Sequence, residues 1–323
     1  MTAVSVQIHE FTAKEEKKAH SPFSASGAER WFECPGSVEL SKPLPDKDSP
    51  WSIEGTRAHG VLERIMVSAI SQEATSVAKV FAPPTFPKEM IMHGQNAANV
   101  ILKVHAQSLD SDIQVENRVY LDFIHKEMFG TYDGAVLDYF GTLHVFDYKY
   151  GAGHLVTPKD NLQMIFYGIG LAHKYGWNFK RVRLWIIQPR IRGYDGPQFW
   201  EIPTAELRRY VPQFQQAVDR VLEQPDSYVE GSWCHWCKAK AICPEKTGKR
   251  LDQAIQIFSI NAVKQTERTE NGKEEKSRKE KSDSKEKGRE QKTRDQKETE
   301  AWYRRKEQKE NRVKAEKEIG NFF

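Results

Sequence analysis

An α/β fold, with one mixed β-sheet flanked by helices, is the architecture that this 323-residue sequence predicts. Three observations carry the prediction. Two long stretches with helical spacing come first, at 53–70 and 88–109. Three strand-like stretches follow, at 112–121, 132–139 and 142–150. Helix, strand, strand and helix then complete the ordered part, an interleaving that lays helices over a sheet.

Each element has a local reason. Residues 1–20 read as a loose polar arm. Residues 21–50 are rich in Pro and Ser, with a brief helical stretch at 25–33 that stops at Cys34-Pro35. In 53–70, Val61, Leu62, Ile65 and Met66 share a helical face, with Glu63 and Arg64 between them. Pro83, Pro84 and Pro87 break the chain before 88–109, whose apolar positions are Ile91, Val100, Ile101 and Val104. Ile113, Val115, Val119 and Leu121 alternate along 112–121. The next two strands flank Gly141, which suits a tight hairpin turn. Thr157-Pro158 precedes a helix that runs to Tyr175, with Pro158 near its first turn. Residues 182–188 read as a buried strand and 198–202 as a shorter one. A helix over 204–223 starts with Thr204 as its cap. Trp185 and Trp200 read as core residues.

Bulk properties narrow the class. Hydrophobic content is 38% and mean hydropathy is −0.70, and the polarity is local. Residues 264–323 hold 20 Lys/Arg against 15 Asp/Glu and almost no apolar side chains. That segment reads as a charged tail, disordered or a single solvated helix, because it cannot bury enough surface to offset its ordering entropy. Its net charge of +5 exceeds the +4 of the whole chain, so residues 1–263 carry about −1. The pI of 8.7 therefore belongs to the tail and says nothing about a basic surface on the folded part. No run of 18 apolar residues predicts a membrane span. No hydrophobic leader follows Met1, so a reducing, cytoplasmic setting is expected.

The chemistry concentrates in a short region. Gly130-Thr131-Tyr132-Asp133 and Asp147-Tyr148-Lys149 lie on two adjacent predicted strands. A carboxylate in an apolar strand is costly to bury unless it is paired or coordinates a cation. Two such carboxylates suit Mg²⁺ or Mn²⁺, which bind oxygen. Lys149 shares a strand face with Asp147, while Tyr148 points the other way and offers its carbonyl oxygen. Asp-x-Lys alone is equally a strand-end salt bridge. His59, on the first long helix, can add a nitrogen ligand. Gln163 and Tyr167 fall one turn apart on one helix face. Glu116, one strand earlier, is placed as a carboxylate behind the ligands. Candidate basic contacts for DNA are Lys180, Arg181 and Arg183, then Arg190 and Arg192, then Arg208 and Arg209.

His59, Gly130-x-x-Asp133, Asp147-x-Lys149 and Gln163-x-x-x-Tyr167 occur in the order and approximate spacing of the RecB-like branch of the PD-(D/E)XK nuclease superfamily. The resemblance covers about 24–243 and is greatest to phage-encoded members. It implies a restriction-endonuclease-like fold over 21–250 and Mg²⁺- or Mn²⁺-dependent hydrolysis of DNA, as an exonuclease of recombination, repair or replication. His59, Asp133, Asp147 and the Tyr148 carbonyl would hold the metal. Lys149 would orient the attacking water or steady developing charge, and Gln163, Tyr167 and Glu116 would support the site and the DNA. The implied partners are DNA and a single-strand annealing or binding protein, in the cytoplasm of a bacterial host. A catalytically silent DNA-binding or scaffold protein is the alternative.

The four cysteines add a second site. Cys234, Cys237 and Cys243 follow C-x2-C-x5-C spacing, and Cys34 also precedes a proline. In a chain without an export signal this spacing favours a metal site over disulfides. The set resembles the [4Fe–4S] clasp of iron–sulfur nucleases in the same branch, with Zn²⁺ as the alternative occupant.

Overall fold

The computed structural model describes residues 21–249, apart from 47–48, 74–75, 77–85 and 109. The expected arm at 1–20 and tail at 264–323 lie outside the described residues.

A 3₁₀ turn at Ala25–Gly27 leads into α1 (Ala28–Glu33), followed by α2 (Ser37–Ser41), α3 (Pro50–Ser71) and α4 (Lys88–Ala106). Strands β1 (Ser111–Tyr120), β2 (Phe129–Asp138) and β3 (Thr142–Tyr148) come next. Then α5 (Leu162–Lys174), β4 (Arg181–Ile187), β5 (Gln198–Pro203), α6 (Thr204–Leu207) and α7 (Val211–Glu223) complete the order. The five strands form one sheet in chain order. All neighbours are antiparallel except β3 and β4, which α5 joins as a parallel pair. The sheet is mixed and flanked by helices, as the sequence predicts.

Strand alternation divides the core in two. Leu143 and Val145 of β3 face a cluster that includes Ile165, Phe166 and Ile169 of α5, Trp31 of α1 and Phe214 of α7. Phe146 and Tyr148 face the opposite cluster, where α3 gives Val61, Leu62, Ile65 and Met66 and α4 gives Ile101 and Leu102. Trp185 is buried and Trp200 packs on the first cluster. Among the described residues, no helix is long and apolar enough to cross a membrane.

Two expected helix boundaries differ. The helix expected after Pro158 begins at Leu162, because Asn161 caps it by accepting from the Met164 N–H at 3.1 Å. The helix expected over 204–223 is broken by a 3₁₀ turn at Arg208–Tyr210. Pro212 has no N–H to donate to the Arg208 carbonyl, so the helical ladder restarts at Val211. Thr204 does not cap: Pro203 holds the cap position, and the buried Thr204 Oγ1 has no hydrogen-bond partner.

Candidate metal centre

β2 and β3 pair from Asp138↔Thr142 to Gly134↔Phe146. Asp133 and Asp147 are the next residues on each strand, where the ladder stops. Lys149 N–H donates to the Ile187 carbonyl on β4 at 2.9 Å. The preceding N–H faces the β2 side, and Asp133 Oδ2 accepts it from Tyr148 at 2.6 Å. A carboxylate thus occupies the place of a ladder carbonyl and carries its charge between the strands. Gly130 leaves room for this end of β2. A Cβ there would lie 2.8 Å from the Ala25 Cβ and 3.0 Å from Tyr167 Cε1.

The other oxygen of Asp133 is 2.6 Å from His59 Nδ1, which α3 brings down onto the sheet. Glu116 sits across from Asp133 on β1, between the pairs Val115↔Gly134 and Asn117↔Tyr132. Its φ is 44°, left-handed backbone inside a strand. A non-glycine residue held there costs roughly 1–3 kcal/mol and persists only where its surroundings enforce it. His59, Glu116 and Asp133 each offer a ligand-type atom within 4.8 Å of the other two. Among the described residues this is the one such group.

Beside it stands a second set. Lys149 Nζ is 3.0 Å from Asp147 Oδ2. Gln163 bridges the pair: its Nε2 donates to Asp147 Oδ1 at 2.9 Å and its Oε1 accepts from Lys149 Nζ at 2.9 Å. The Gln163 amide also reaches the Tyr167 hydroxyl at 3.1 Å. Asp147 Oδ2 is buried and, despite the nearby ammonium, accepts no well-directed hydrogen bond.

Electrostatics couple the two sets. Burial opposes charging of His59, but Asp133 at contact distance overrides it, and with Glu116 and Asp147 raises its pKa to about 9. Burial likewise pushes Asp133 up, yet the His59 cation and the Tyr148 N–H hold it below the usual carboxylate range. Burial, then the Asp133 charge, lifts Glu116 to about 8. Burial also raises Asp147, against the pull of Lys149. The group is an acid-rich, proton-laden site, the environment that perturbs pKa values where cations or reacting groups bind.

Every residue singled out from the motif region therefore lands in one neighbourhood, with two differences of placement. Glu116, expected behind the ligands, belongs to the tight group, whereas Asp147, expected with His59 and Asp133, is engaged by Lys149 and Gln163. Tyr148 joins the group through its N–H, which donates to Asp133 Oδ2. Nothing in the immediate neighbours of Glu116 marks this role, because only the β1–β2 register decides what it faces. Several basic candidates for DNA contact are already partnered: Arg181 and Arg183 with Glu201, Arg190 with Glu54, and Arg208 over the Trp177 ring.

The closed cysteine clasp is not formed. All four cysteines line one pocket, Cys34 from the end of α1 and the others from the segment after α7. Zinc bound by thiolates at about 2.3 Å needs sulfurs about 3.8 Å apart. Among the described residues, no three cysteine sulfurs converge within 4.8 Å. Backbone N–H groups hold some of them in place: Cys34 Sγ accepts from Val229 at 3.4 Å and Cys234 Sγ from Gly231 at 3.5 Å.

Fold and site together define an α/β protein whose mixed sheet carries a candidate divalent-cation site of one imidazole and two carboxylates. The chain belongs to the family described as a protein of unknown function, DUF2800, whose model matches residues 20–299. Among solved structures it is similar to SSO0001, at 16% identity and a TM-score of 0.32, over 71% of this chain and 89% of that one. It is also similar to a "Putative exonuclease" from Eubacterium rectale, at 13% identity and a TM-score of 0.36, over 75% of this chain and 94% of that one.

Proposed function

We propose that this protein is a divalent-metal-dependent deoxyribonuclease of the PD-(D/E)XK, RecB-like type, working as an exonuclease on DNA. The observation that carries the reading is the convergence of His59, Glu116 and Asp133 beside the Asp147–Lys149–Gln163 set. The donor set fits Mg²⁺ or Mn²⁺: two carboxylates and an imidazole, with the buried Asp147 Oδ2 lacking a directed hydrogen bond nearby. When bound there, the cation would polarise a phosphodiester and acidify water. Lys149, steered by Gln163, would place positive charge where the phosphate gains negative charge. Glu116 and His59 hold protons near neutral pH and would release them as a cation binds.

Purified protein given end-labelled linear DNA with Mn²⁺ should degrade it, EDTA should stop the reaction, and circular DNA should survive. Asp133→Asn and Asp147→Asn should lose cleavage while still folding, which a cooperative thermal transition checks. Full cleavage by either variant, or none by the wild type in any divalent metal, overturns the assignment. For the four-cysteine pocket we propose a structural role, with a [4Fe–4S] cluster as its occupant or, if the thiols draw together to tetrahedral spacing, zinc. A visible spectrum and metal analysis after anaerobic purification decide between these, and metal-free protein removes both.

A further inference from the structure

The pocket shared by the four cysteines also holds a cation that, among the described residues, pairs with no carboxylate. Arg30 lines it from α1, one turn before Cys34, whose N–H donates to the Arg30 carbonyl at 2.9 Å. Ser37, buried at the start of α2, fixes the guanidinium. Arg30 Nη1 donates to the Ser37 carbonyl at 3.1 Å and to its Oγ at 3.0 Å. The Ser37 N–H in turn donates to the Cys34 carbonyl at 3.1 Å, which holds the guanidinium beside the turn that carries Cys34. The two carboxylates in the pocket wall are engaged by lysines: Glu230 by Lys246 at 3.0 Å and Lys249 at 2.8 Å, and Glu245 by Lys249 at 2.7 Å. Burial works against the charge of Arg30, Cys237 and Cys34 work for it, and no carboxylate takes part.

A guanidinium keeps its charge throughout the physiological pH range. Buried against neutral acceptors alone, it gives up hydration with no ion pair in return, which is costly. Thiols are neutral, so the buried Cys34 and Cys237 compensate Arg30 only as thiolates. None of the four cysteines is in a disulfide, and thiolates gathered in one pocket repel one another unless a thiophilic metal draws them together. Four thiolates outweigh the charge of a zinc ion or an iron–sulfur core, so the filled centre is anionic and gains from a fixed cation beside it. Arginine suits that place, because its fork is weakly hydrated and is held in one orientation by Ser37.

We propose that Arg30 is the counter-charge of the four-cysteine centre, a positioning residue whose guanidinium keeps the sulfurs anionic and so retains the metal. The proposal rests on the reading of this pocket as a metal centre and is independent of the nuclease reading. The test compares the full chain, purified anaerobically, with Arg30→Lys, Arg30→Gln and Ser37→Ala. Lysine keeps the charge, glutamine keeps a donor for Ser37 without the charge, and Ser37→Ala removes one acceptor and leaves the charge in place. Iron and zinc per chain are measured first, and release is then followed with bathophenanthroline for iron or EDTA for zinc. Arg30→Gln should release its metal about tenfold faster than wild type, while Arg30→Lys and Ser37→Ala should stay within about threefold of it. A thermal scan before chelator is added checks that each variant is folded. Release from Arg30→Gln at the wild-type rate overturns the proposal. So does release from Arg30→Lys or Ser37→Ala as fast as from Arg30→Gln, since hydrogen bonding to Ser37 would then explain the loss without the charge. If the wild type carries metal and only this order is missing, the role of Arg30 alone fails. If the wild type carries neither iron nor zinc, the metal-centre reading fails with it.

Discussion

Replacing Lys149 by methionine tests the charge arrangement of the site without reference to any activity. Asp147 is 3% exposed, with the Lys149 ammonium at 3.0 Å and the Gln163 amide at 2.9 Å. Lys149→Met keeps the apolar stem and removes the ammonium, leaving a buried carboxylate with one amide donor. Breaking a buried ion pair from one side costs about 3–5 kcal/mol. The Lys149 side chain is 27% exposed, so solvent screens part of the interaction and the lower end applies, about 3 kcal/mol. For a domain of this size that is a fall of roughly 6–12 °C in Tm. The loss should also depend on pH in a defined sense. Burial already raises the pKa of Asp147, and Lys149 is the largest opposing influence. Without Lys149 the folded-state pKa rises further above its unfolded value. The folded protein then binds more protons than the unfolded chain, and stability falls as pH climbs toward the folded pKa, by about 1.4 kcal/mol per pH unit and proton. The deficit relative to wild type should therefore be larger at pH 8 than at pH 5. Urea titrations in EDTA at the two pH values measure it, and Asp147→Asn/Lys149→Met should recover most of the loss. A deficit under about 1 kcal/mol at pH 8, or one of equal size at both pH values, refutes the reasoning.

Cation binding should be linked to protons. With His59 titrating near 9 and Glu116 near 8, a metal must displace up to two protons at pH 7. Mn²⁺ affinity should climb more than tenfold from pH 7 to pH 8 and level off above about pH 9. Calorimetry in buffers of different ionisation heat counts the protons, and an affinity flat across this range contradicts the site. At Glu116 the left-handed backbone favours glycine, so Glu116→Gly should be more stable than Glu116→Ala by about 1 kcal/mol in urea titrations without metal. The opposite order would mean that the strain is absent. Gly170→Ala would put a Cβ 2.4 Å from Val119 Cγ2 and 2.8 Å from Leu121 Cδ1. Overpacking of about 1–3 kcal/mol should outweigh the gain in helix propensity, and a stabilised variant would show that α5 is free to shift from β1.

Much of the molecule is legible in one dimension. Apolar residues at helical spacing mark α3 through Val61, Leu62, Ile65 and Met66, and alternation marks the strands, because each depends on which neighbours along the chain share a face. The motif residues are legible too, since charges inside apolar strands stand out: Asp133 in β2, Asp147 at the end of β3 and Lys149 just after it. Helix ends are less so. Asn161 takes the cap that Pro158 seemed to open, and Pro212 splits a helix whose period runs through it, since caps and missing donors act on single hydrogen bonds and leave the pattern intact.

Tertiary structure alone decided who meets whom. His59 and Asp133 are 74 residues apart in the chain and 2.6 Å apart in space. Glu116 joins them because the β1–β2 register sets it across from Asp133, and Asp147 turns to Gln163 because α5 lands over that end of β3. The four cysteines share a pocket without closing on one point. Residue type and period are properties of the local chain. Convergence of side chains is set by strand register and by how loops close over long separations, and no local pattern encodes it.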